Sequence, residues 1–451
     1  MLTGLSTEPT VAMLPDHRTA LLPEWLIPIE PQGKVLQDHA LVMQGALIEA
    51  ILPVHELQHR YPHVQRCALP GQALLPGLVN LHAHAAMTLL RGYADDFALM
   101  DWLTKHIWPA EARWVSDAFV EDGTALACAE FVRGGVTTFN DMYFFPEAAA
   151  RAVISSGLRA TLGITVLEFP TTWATDADDY LRKGLAARDL LRDEPRLNFA
   201  MAPHAPYTVG DATFRRVMTF ADELDLPVHL HVHETTTEID DSLRQHGVRP
   251  IERLARLGVL DPRLIAVHAV HLTPGEIDLL AAHGVSVAHC PHSNLKLASG
   301  IAPLHELRAA GVNVGIGTDG AASNNRLDVL AETRTAGLLA KGASGQAGTL
   351  PAAELLTLAT LGGARALGLA AQIGSLQAGK QADLISIQLD MLDTLPLFDA
   401  IAQVVYSAGR EQVRNVWVAG EALLHDRRLV KVDAEELRSR ALAWGRRLQA
   451  R

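Results

Sequence analysis

The chain has 451 residues, 49% of them hydrophobic, so it is long enough to bury a large core and to form more than one structural unit. Its 39 Lys and Arg against 51 Asp and Glu give a net charge of −12, and no block of consecutive basic residues is present. These features argue against binding to nucleic acid or to an anionic membrane. The expected partner is a small molecule.

The cellular compartment is indicated by the cysteines and by the start of the chain. Only Cys67, Cys128 and Cys290 occur, and such an odd, widely spaced set favours neither a disulfide framework nor a cysteine-based zinc site. Polar residues at 16–18 interrupt the first apolar stretch, which disfavours a secretory signal. No window reaches the roughly 18 uninterrupted apolar residues of a membrane span. A cytoplasmic protein that does not contact membranes is expected.

Both ends of the chain carry short apolar runs separated by polar or turn residues. Residues 40–48 near the start, and 382–387 and 413–420 near the end, predict short antiparallel strands. We predict that residues 1–75 and 375–451 build one small composite β-sandwich domain. The alternative is two unrelated terminal extensions.

Between these ends, in residues 76–374, apolar strand-like runs alternate with helix-length segments. This alternation predicts an α/β protein with a (β/α)8 TIM-type barrel as its catalytic domain. Catalytic groups in such barrels lie at the C-terminal ends of the strands. The stretch 336–349, rich in small residues, predicts a mobile surface segment. The eight predicted strands are 73–84, 135–141, 160–167, 198–204, 227–233, 264–268, 285–290 and 312–319.

Residues with metal-binding side chains end several of these runs. His82 and His84 share strand parity, so both imidazoles lie on one face and can bind one cation. The spacing His-x-x-Glu indicates His231 as a ligand with Glu234 just above it. Asp319 ends a strand in a tight turn, where its carboxylate can contact a metal and accept a proton from water. An Asx turn would equally explain this aspartate taken alone.

Taken singly, the histidines also have structural explanations. For the pair His82 and His84, packing and metal coordination are equally good explanations. His268 and His204, each considered alone, resemble structural residues. Only the set as a whole favours a functional site. The pattern leaves open the roles of four further histidines: His229, His233, His289 and His292.

Three histidines and one aspartate provide nitrogen and oxygen ligands suited to zinc, with iron or manganese less favoured. A bound metal lowers the pKa of its water toward about 7, while Glu234 and Asp319 can relay protons. A two-metal site bridged by a carbamylated lysine is the alternative. It would need a lysine at the end of the fourth strand, and residues 184–234 contain none. We therefore predict one zinc ion per subunit and a hydrolytic reaction.

Longer motifs extend this pattern from Gly77 to about Asn325 and return near the end of the chain. They are GLVNLHAH at 77–84, MTLLRG at 87–92, DWL at 101–103, APHAPY at 202–207, SNLKL at 293–297, GTDGAASNN at 317–325 and GKQADL at 379–384. As a set they resemble the methylthioadenosine/S-adenosylhomocysteine deaminase group of the amidohydrolase superfamily, which lies beside the triazine hydrolases.

The resemblance implies hydrolytic deamination of the adenine ring of 5′-methylthioadenosine, with S-adenosylhomocysteine and adenosine as further substrates. Glu234 would protonate the ring nitrogen next to the amino-bearing carbon, and His268 would steady the attacking hydroxide. Glu111 would bind the two ribose hydroxyls, His204 would contact the nucleoside, and Trp102 would form an apolar wall. Glu234 and Asp319 would also contact the substrate. The zinc ligands implied by the resemblance are His82, His84, His231 and Asp319.

The loop after the third strand bears on the choice of nucleoside. Similar enzymes that accept S-adenosylhomocysteine can use arginines there for its amino-acid carboxylate, whereas this chain has Ile164 and the segment 168–173. An apolar loop favours the methylthio group. The alternatives are a deaminase or chlorohydrolase of another aromatic ring, such as a triazine or guanine, and an inactive barrel that serves as a binding or assembly protein. A homo-oligomer, dimer or tetramer, is the expected state.

Overall fold

The structure, a computed structural model, describes residues 18–449 of the chain. The expected lack of a secretory signal concerns the residues before this range and lies outside the described residues. The described range contains sixteen β-strands and eighteen α-helices, with two 3₁₀ segments and two π-helical segments. The strands are β1 Arg18–Leu26, β2 His39–Gln44, β3 Leu47–Pro53, β4 Gln65–Pro76, β5 Leu78–Ala83, β6 Val136–Asp141, β7 Arg159–Val166, β8 Leu197–Pro203, β9 Val228–Val232, β10 Leu264–His268, β11 Ser286–His289, β12 Asn313–Ile316, β13 Leu384–Gln388, β14 Val413–Val418, β15 Glu421–His425 and β16 Arg428–Leu429.

The α-helices are α1 Val54–Arg60, α2 Leu99–Trp102, α3 Trp108–Trp114, α4 Asp117–Arg133, α5 Pro146–Ser156, α6 Ala177–Leu191, α7 Asp211–Leu224, α8 Thr236–His246, α9 Pro250–Arg256, α10 Pro274–Ala282, α11 Pro291–Lys296, α12 Leu304–Ala309, α13 Ala321–Asn324, α14 Val329–Ser344, α15 Ala352–Thr357, α16 Gly363–Ala366, α17 Ala400–Tyr406 and α18 Ala434–Gln449. The 3₁₀ segments are Ala85–Leu90 and Arg410–Gln412, and the π-helical segments are Leu103–Ile107 and Leu358–Gly362.

Eight parallel strands, β5 to β12 in chain order, form the barrel. Each pairs with the next along the chain, and each overlaps one of the predicted runs. The barrel closes between its last and first strands through Asn80 and Thr318. The Asn80 amide donates to the Thr318 hydroxyl over 2.7 Å, and the Thr318 N–H donates to the Asn80 side-chain oxygen over 2.9 Å. The predicted (β/α)8 barrel is confirmed.

The barrel strands are buried along most of their length because helices cover one face and the packed interior covers the other. All eight residues of β7, and all five of β9 and of β10, are buried. The helices present one apolar side to these strands: in α7, Phe214, Val217 and Ala221 are buried at helical spacing. Asp225, with φ 51°, ends that helix in the left-handed conformation and turns the chain toward β9.

A second sheet is built from both ends of the chain. Its eight strands are hydrogen-bonded in the order β16, β15, β14, β13, β4, β1, β2, β3, so β13 pairs antiparallel with β4. An apolar cluster that includes Leu41, Leu384 and Trp417 joins the two ends. The ends therefore form one unit, and its limits at 1–75 and 375–451 stay a prediction. One pairing departs from the predicted antiparallel pattern: β1 runs parallel to β4, because β2, β3 and α1 form a crossover between them.

The chain passes from the terminal sheet into the barrel at Gly77. A Cβ atom here would stand 2.0 Å from the hydroxyl of Thr137, so only glycine fits. The first predicted barrel run is therefore split, and its residues 73–76 belong to β4 of the terminal sheet. Close to this joint, Arg159 of β7 forms a salt bridge with Asp383, and both side chains are almost completely buried.

The stretch 336–349 was predicted as a mobile surface segment, and most of residues 342–348 are exposed, while its mobility stays a prediction. Most of it lies in α14, which begins after Asp328, whose side chain accepts from the Ala331 N–H. Gly337 in this helix packs so closely that an added Cβ would stand 2.4 Å from Leu355. Gly337 therefore serves close packing, whereas a Cβ added at Gly342, Gly345 or Gly348 would have no atom within 4 Å. No helix within residues 18–449 is long and apolar enough to cross a membrane.

Candidate active site

The residues predicted from the sequence gather at one end of the barrel. His82 lies in β5 and His84 directly after it, His231 lies in β9, and Asp319 follows β12. The C-terminal ends of barrel strands share one face, which brings these residues together. A cavity of about 290 Å³ lies there, and the predicted site residues that line it are His84, Trp102, Glu111, His204, His231, Glu234, His268 and Asp319. His82 is fully buried and contacts the same cluster.

Four potential ligand atoms converge in this cluster. The Nε2 atoms of His82 and His84 lie 3.2 and 3.3 Å from Asp319 Oδ1. The Nε2 atom of His231 lies 3.2 Å from that of His82. Ligands bound to a tetrahedral zinc ion at its usual bond lengths stand about 3.3 Å from one another. The three separations given above match that spacing, and His82 belongs to both groups of ligand atoms that lie within 4.8 Å of one another, one with His84 and Asp319 and one with His231 and His268.

Hydrogen bonds on the far side of two imidazoles leave their Nε2 atoms without protons. The Nδ1 atom of His84 lies 2.6 Å from the Met142 carbonyl oxygen, and that of His231 lies 2.8 Å from the His204 carbonyl oxygen. A carbonyl only accepts, so each Nδ1 carries the proton. Burial lowers the pKa of His82 to about 4 and that of His231 well below 6.5, which keeps both neutral at pH 7. Converging lone pairs of this kind repel one another unless a cation lies between them, so the residues fit a metal ion.

Two further groups hold Asp319. Its Oδ2 atom accepts from the Ser293 hydroxyl over 2.6 Å, and its Oδ1 atom accepts from the Gly320 N–H over 2.7 Å. The residue has φ 61°, a left-handed conformation that is uncommon outside glycine and is found at strained functional positions. Ser293 therefore fixes the rotation of the carboxylate, with Oδ1 facing the histidines.

His268 and Glu234 form a pair beside these predicted ligands. His268 Nε2 lies 3.7 Å from Glu234 Oε2, and His268 Nδ1 lies 2.8 Å from the side-chain oxygen of Asn294. The Ser299 hydroxyl lies 3.4 Å from Glu234 Oε1. Burial raises the pKa of the Glu234 carboxyl, so it keeps its proton to a higher pH than an exposed glutamate does. This property suits a general acid.

Glu111 and Trp102 line the cavity from helices that follow the first barrel strand. The Tyr143 hydroxyl donates to Glu111 Oε1 over 2.7 Å. Burial raises the pKa of Glu111 to about 7, and within residues 18–449 no cation offsets this effect. The indole N–H of Trp102, predicted only as part of an apolar wall, is buried without a partner among the described residues. The Glu111 carboxylate is thus available to a ligand as an acceptor, whereas the Trp102 indole nitrogen exposes almost no surface.

The remaining walls of the cavity are largely apolar. They include Leu103, Trp108 and Phe169. Of the residues that the structure describes, no Lys or Arg lines the cavity. Glu168, in the loop after the third barrel strand, is exposed and accepts from the Gly210 N–H over 2.9 Å. The cavity therefore contains no fixed positive side chain that would bind a substrate carboxylate.

The four histidines with open roles have different surroundings. His229 Nε2 lies 2.9 Å from His82 Nδ1, so it contacts a predicted ligand from inside the barrel. His292 lies 2.8 Å from the carboxylate of Glu332, away from the cavity. None of the four is among the described residues that line the cavity.

Three residues that hold the site were given no role from the sequence. Tyr143 contacts Glu111, Ser293 contacts Asp319, and Asn294 contacts His268, as described above. All three follow barrel strands: Tyr143 comes shortly after β6, and the other two lie in α11, which follows β11. Inspection of every polar residue just past a predicted strand would have identified them.

The family of the chain follows from comparison with known proteins. The amidohydrolase family matches residues 73–423, which is most of the chain. The chain belongs to the amidohydrolase family. It is 46% identical over 427 residues to the 5-methylthioadenosine/S-adenosylhomocysteine deaminase of Teredinibacter turnerae, which covers 95% of this chain and 97% of that relative.

Solved structures agree with this family assignment. An adenosine deaminase of Xanthomonas campestris with bound zinc is 49% identical, with a TM-score of 0.94 over 97% of this chain and 99% of that chain. An atrazine chlorohydrolase of Arthrobacter aurescens with zinc is 24% identical, with a TM-score of 0.88 over 94% of this chain and 99% of that chain. The second likeness concerns the fold alone. The resemblance found in the sequence and the single zinc site are confirmed, and the role of each residue stays a prediction.

Proposed function

We propose that this amidohydrolase removes the amino group from the adenine ring of 5′-methylthioadenosine, giving the inosine analogue and ammonia. The observation that carries the proposal is Glu111, a partly buried carboxylate on the cavity wall whose hydrogen bond comes from Tyr143. Two vicinal ribose hydroxyls would supply the donors that this carboxylate lacks. The relatives named as deaminases of methylthioadenosine and adenosine support the same substrate class.

In the reaction, water adds to the carbon that bears the amino group, and ammonia leaves from that carbon. With zinc bound, the site has a Lewis acid that activates water. Glu234 would donate its proton to the adjacent ring nitrogen, because burial raises its pKa. His268 would orient the water through Nε2, since Nδ1 is engaged with Asn294. Asp319 would accept a proton from the water and pass it to the leaving amine, and the hydroxyl on the same carbon would return a proton to Glu234 as the carbonyl forms. The residues proposed to hold the zinc are His82, His84, His231 and Asp319.

The cavity favours 5′-methylthioadenosine over S-adenosylhomocysteine. The loop that follows the third barrel strand contributes residues 169–172 to the cavity wall, and none of them is charged. A carboxylate placed there would lose hydration without gaining a cation, which is costly. A methylthio group requires no such partner.

Steady-state kinetics on 5′-methylthioadenosine, S-adenosylhomocysteine and adenosine, followed by the absorbance change of adenine to hypoxanthine, tests this preference. We expect the highest kcat/KM with 5′-methylthioadenosine. Thr172 is exposed and lines the cavity, so Thr172→Arg should raise kcat/KM for S-adenosylhomocysteine relative to the other two. Thr172→Met, of similar length and without charge, is the matched control. A wild-type preference for S-adenosylhomocysteine would refute the proposal.

A sugar-free ring is the second candidate substrate, because an atrazine chlorohydrolase shares the fold. A screen for ammonia or chloride release with triazines, guanine and nucleosides separates the two. Activity confined to the sugar-free rings would overturn the choice of a nucleoside. An inactive binding protein, the remaining alternative, is disfavoured by the converging donor set, and zinc-free protein after expression with zinc would support it.

The compartment and the assembly state also belong to this proposal. Three free cysteines, Cys67, Cys128 and Cys290, suit a reducing cytoplasm. Leu392 is 99% exposed and Phe398 91% exposed in one connecting segment, and neighbouring exposed apolar side chains are common at contact surfaces. We therefore propose a cytoplasmic homo-oligomer. A monomer mass in light scattering at micromolar concentration would contradict the second part.

A further inference from the structure

We propose that Tyr143 is a positioning residue for the sugar: its hydroxyl fixes the Glu111 carboxylate, so that recognition of the ribose hydroxyls depends on Tyr143 and weakens below neutral pH. This inference rests on the proposed nucleoside substrate and concerns the same cavity. It assigns a role to a side chain that neither contacts the metal ligands through a hydrogen bond nor takes part in proton transfer to the ring.

The two residues come from different parts of the barrel mouth. Glu111 lies in α3, and Tyr143 lies in the loop after β6, with 2.7 Å between the phenol oxygen and Glu111 Oε1. An ionised carboxylate only accepts hydrogen bonds, so the phenol donates. This bond uses one acceptor position on Oε1 and leaves Oε2 for a ligand. One rotation of the carboxylate is thereby selected before any substrate binds.

Tyr143 is itself firmly held. It is 5% exposed, and its carbonyl oxygen accepts from the Thr165 hydroxyl over 3.0 Å. Its ring packs against that of Phe144, with 5.3 Å between centroids. A donor fixed in this way loses little conformational freedom when it bonds the carboxylate, which favours preorganisation.

The surroundings of Glu111 make its charge sensitive to pH near neutrality. The titratable groups that face it are Tyr143 and, from α6, Tyr180, with His84 and His204 on the walls of the same cavity. Arg113 of α3 points elsewhere, with its guanidinium 4.6 Å from the ring of Trp114. Burial raises the pKa of Glu111 to about 7, and the hydrogen bond from Tyr143 opposes this rise.

The sign of the pH effect follows from these two influences. Above pH 7 the carboxylate is ionised and accepts both ribose hydroxyls, whereas below pH 7 it is protonated and loses acceptor capacity. Removal of the phenol donor takes away the influence that lowers the pKa. The pH at which ribose recognition is half lost should therefore move upward in Tyr143→Phe.

The test compares adenosine and 5′-methylthioadenosine with their 2′,3′-dideoxy analogues between pH 6 and 9. In Tyr143→Phe we expect KM for the two ribonucleosides to rise about tenfold at pH 7.5, as for loss of one hydrogen bond to a charged group. KM for the dideoxy analogues should change less than about threefold. Zinc content should equal that of the wild type. Tyr180→Phe is the matched control, because that phenol donates to Thr171 and not to Glu111.

Glu111→Gln provides a second variant, in which discrimination between ribose and dideoxyribose should lose its pH dependence. If Tyr143→Phe raises KM equally for substrates with and without the ribose hydroxyls, Tyr143 has a purely structural role and the inference is overturned. An unchanged pH midpoint would overturn it as well. If the wild-type enzyme deaminates the nucleosides and discriminates the sugars, the proposed function stands whatever Tyr143→Phe shows. A wild-type enzyme inactive on every nucleoside refutes both proposals.

Discussion

Replacement of Ser293 by alanine should impair the site without altering any group that contacts the substrate. The Ser293 hydroxyl is buried and donates to Asp319 Oδ2 over 2.6 Å. A hydrogen bond to a charged group contributes about 1.5–3 kcal/mol, which corresponds to about 10- to 150-fold in rate or affinity. We therefore expect kcat/KM to fall by that range. Zinc affinity should fall as well, because partners of metal ligands orient those ligands.

The assay measures kcat/KM with 5′-methylthioadenosine and zinc retention during titration with a chelator. Ser323→Ala is the matched control, because Ser323 is also buried in the same region but donates to the Gly320 carbonyl over 3.1 Å. A bond to a neutral group contributes about 0.5–1.5 kcal/mol, so this variant should lose less than about tenfold. Equal effects of the two substitutions on rate and on zinc retention would refute the reasoning about Asp319.

Glu234→Gln should keep its zinc, by elemental analysis, while kcat falls about 10²- to 10⁴-fold, because it removes a proton donor and leaves the ligands intact; loss of metal would contradict the role assigned to Glu234. Arg159→Met should lower the free energy of unfolding by about 3–5 kcal/mol, because it leaves the Asp383 carboxylate buried without its cation. Urea titration at a fixed concentration of free zinc measures this change. Adding Asp383→Asn, which keeps an oxygen for the Ala419 N–H, should restore part of that loss; no recovery in the double variant would argue against a coupled pair.

The barrel could be predicted because its signal is local. Parallel strands buried on both faces are rich in apolar residues, as in residues 264–267 of β10, and such runs can be recognised in one sequence. The same holds for His82 and His84, whose parity follows from the strand alone. The grouping of the metal-binding residues then required only the rule that strand ends meet.

The wrong and missing predictions concern features that depend on contacts between segments far apart in the sequence. The small residues of 336–349 suggested a mobile segment throughout, but the proximity of Leu355 to Gly337 gives that glycine a packing role in α14. The parallel pairing of β1 with β4 depends on a crossover that no short pattern specifies. Tyr143 and Glu111 are 32 residues apart and lie in different segments of the chain. Helical and strand periodicity apply only within one element, so neither predicts this contact.

The proton positions on the histidines predicted as ligands show why the sequence motif alone could not distinguish metal coordination from packing. His84 and His231 are oriented by the carbonyl oxygens of Met142 and His204, which lie at the ends of neighbouring strands. Every residue has a carbonyl oxygen, so the residue type does not show which carbonyl oxygen accepts from a given imidazole. It is the register of adjacent strands that aligns each oxygen with an imidazole, and this leaves Nε2 free for a metal. A histidine pair therefore becomes a ligand pair only within a specified barrel, and the fold has to be established before the chemistry of its histidines can be assigned.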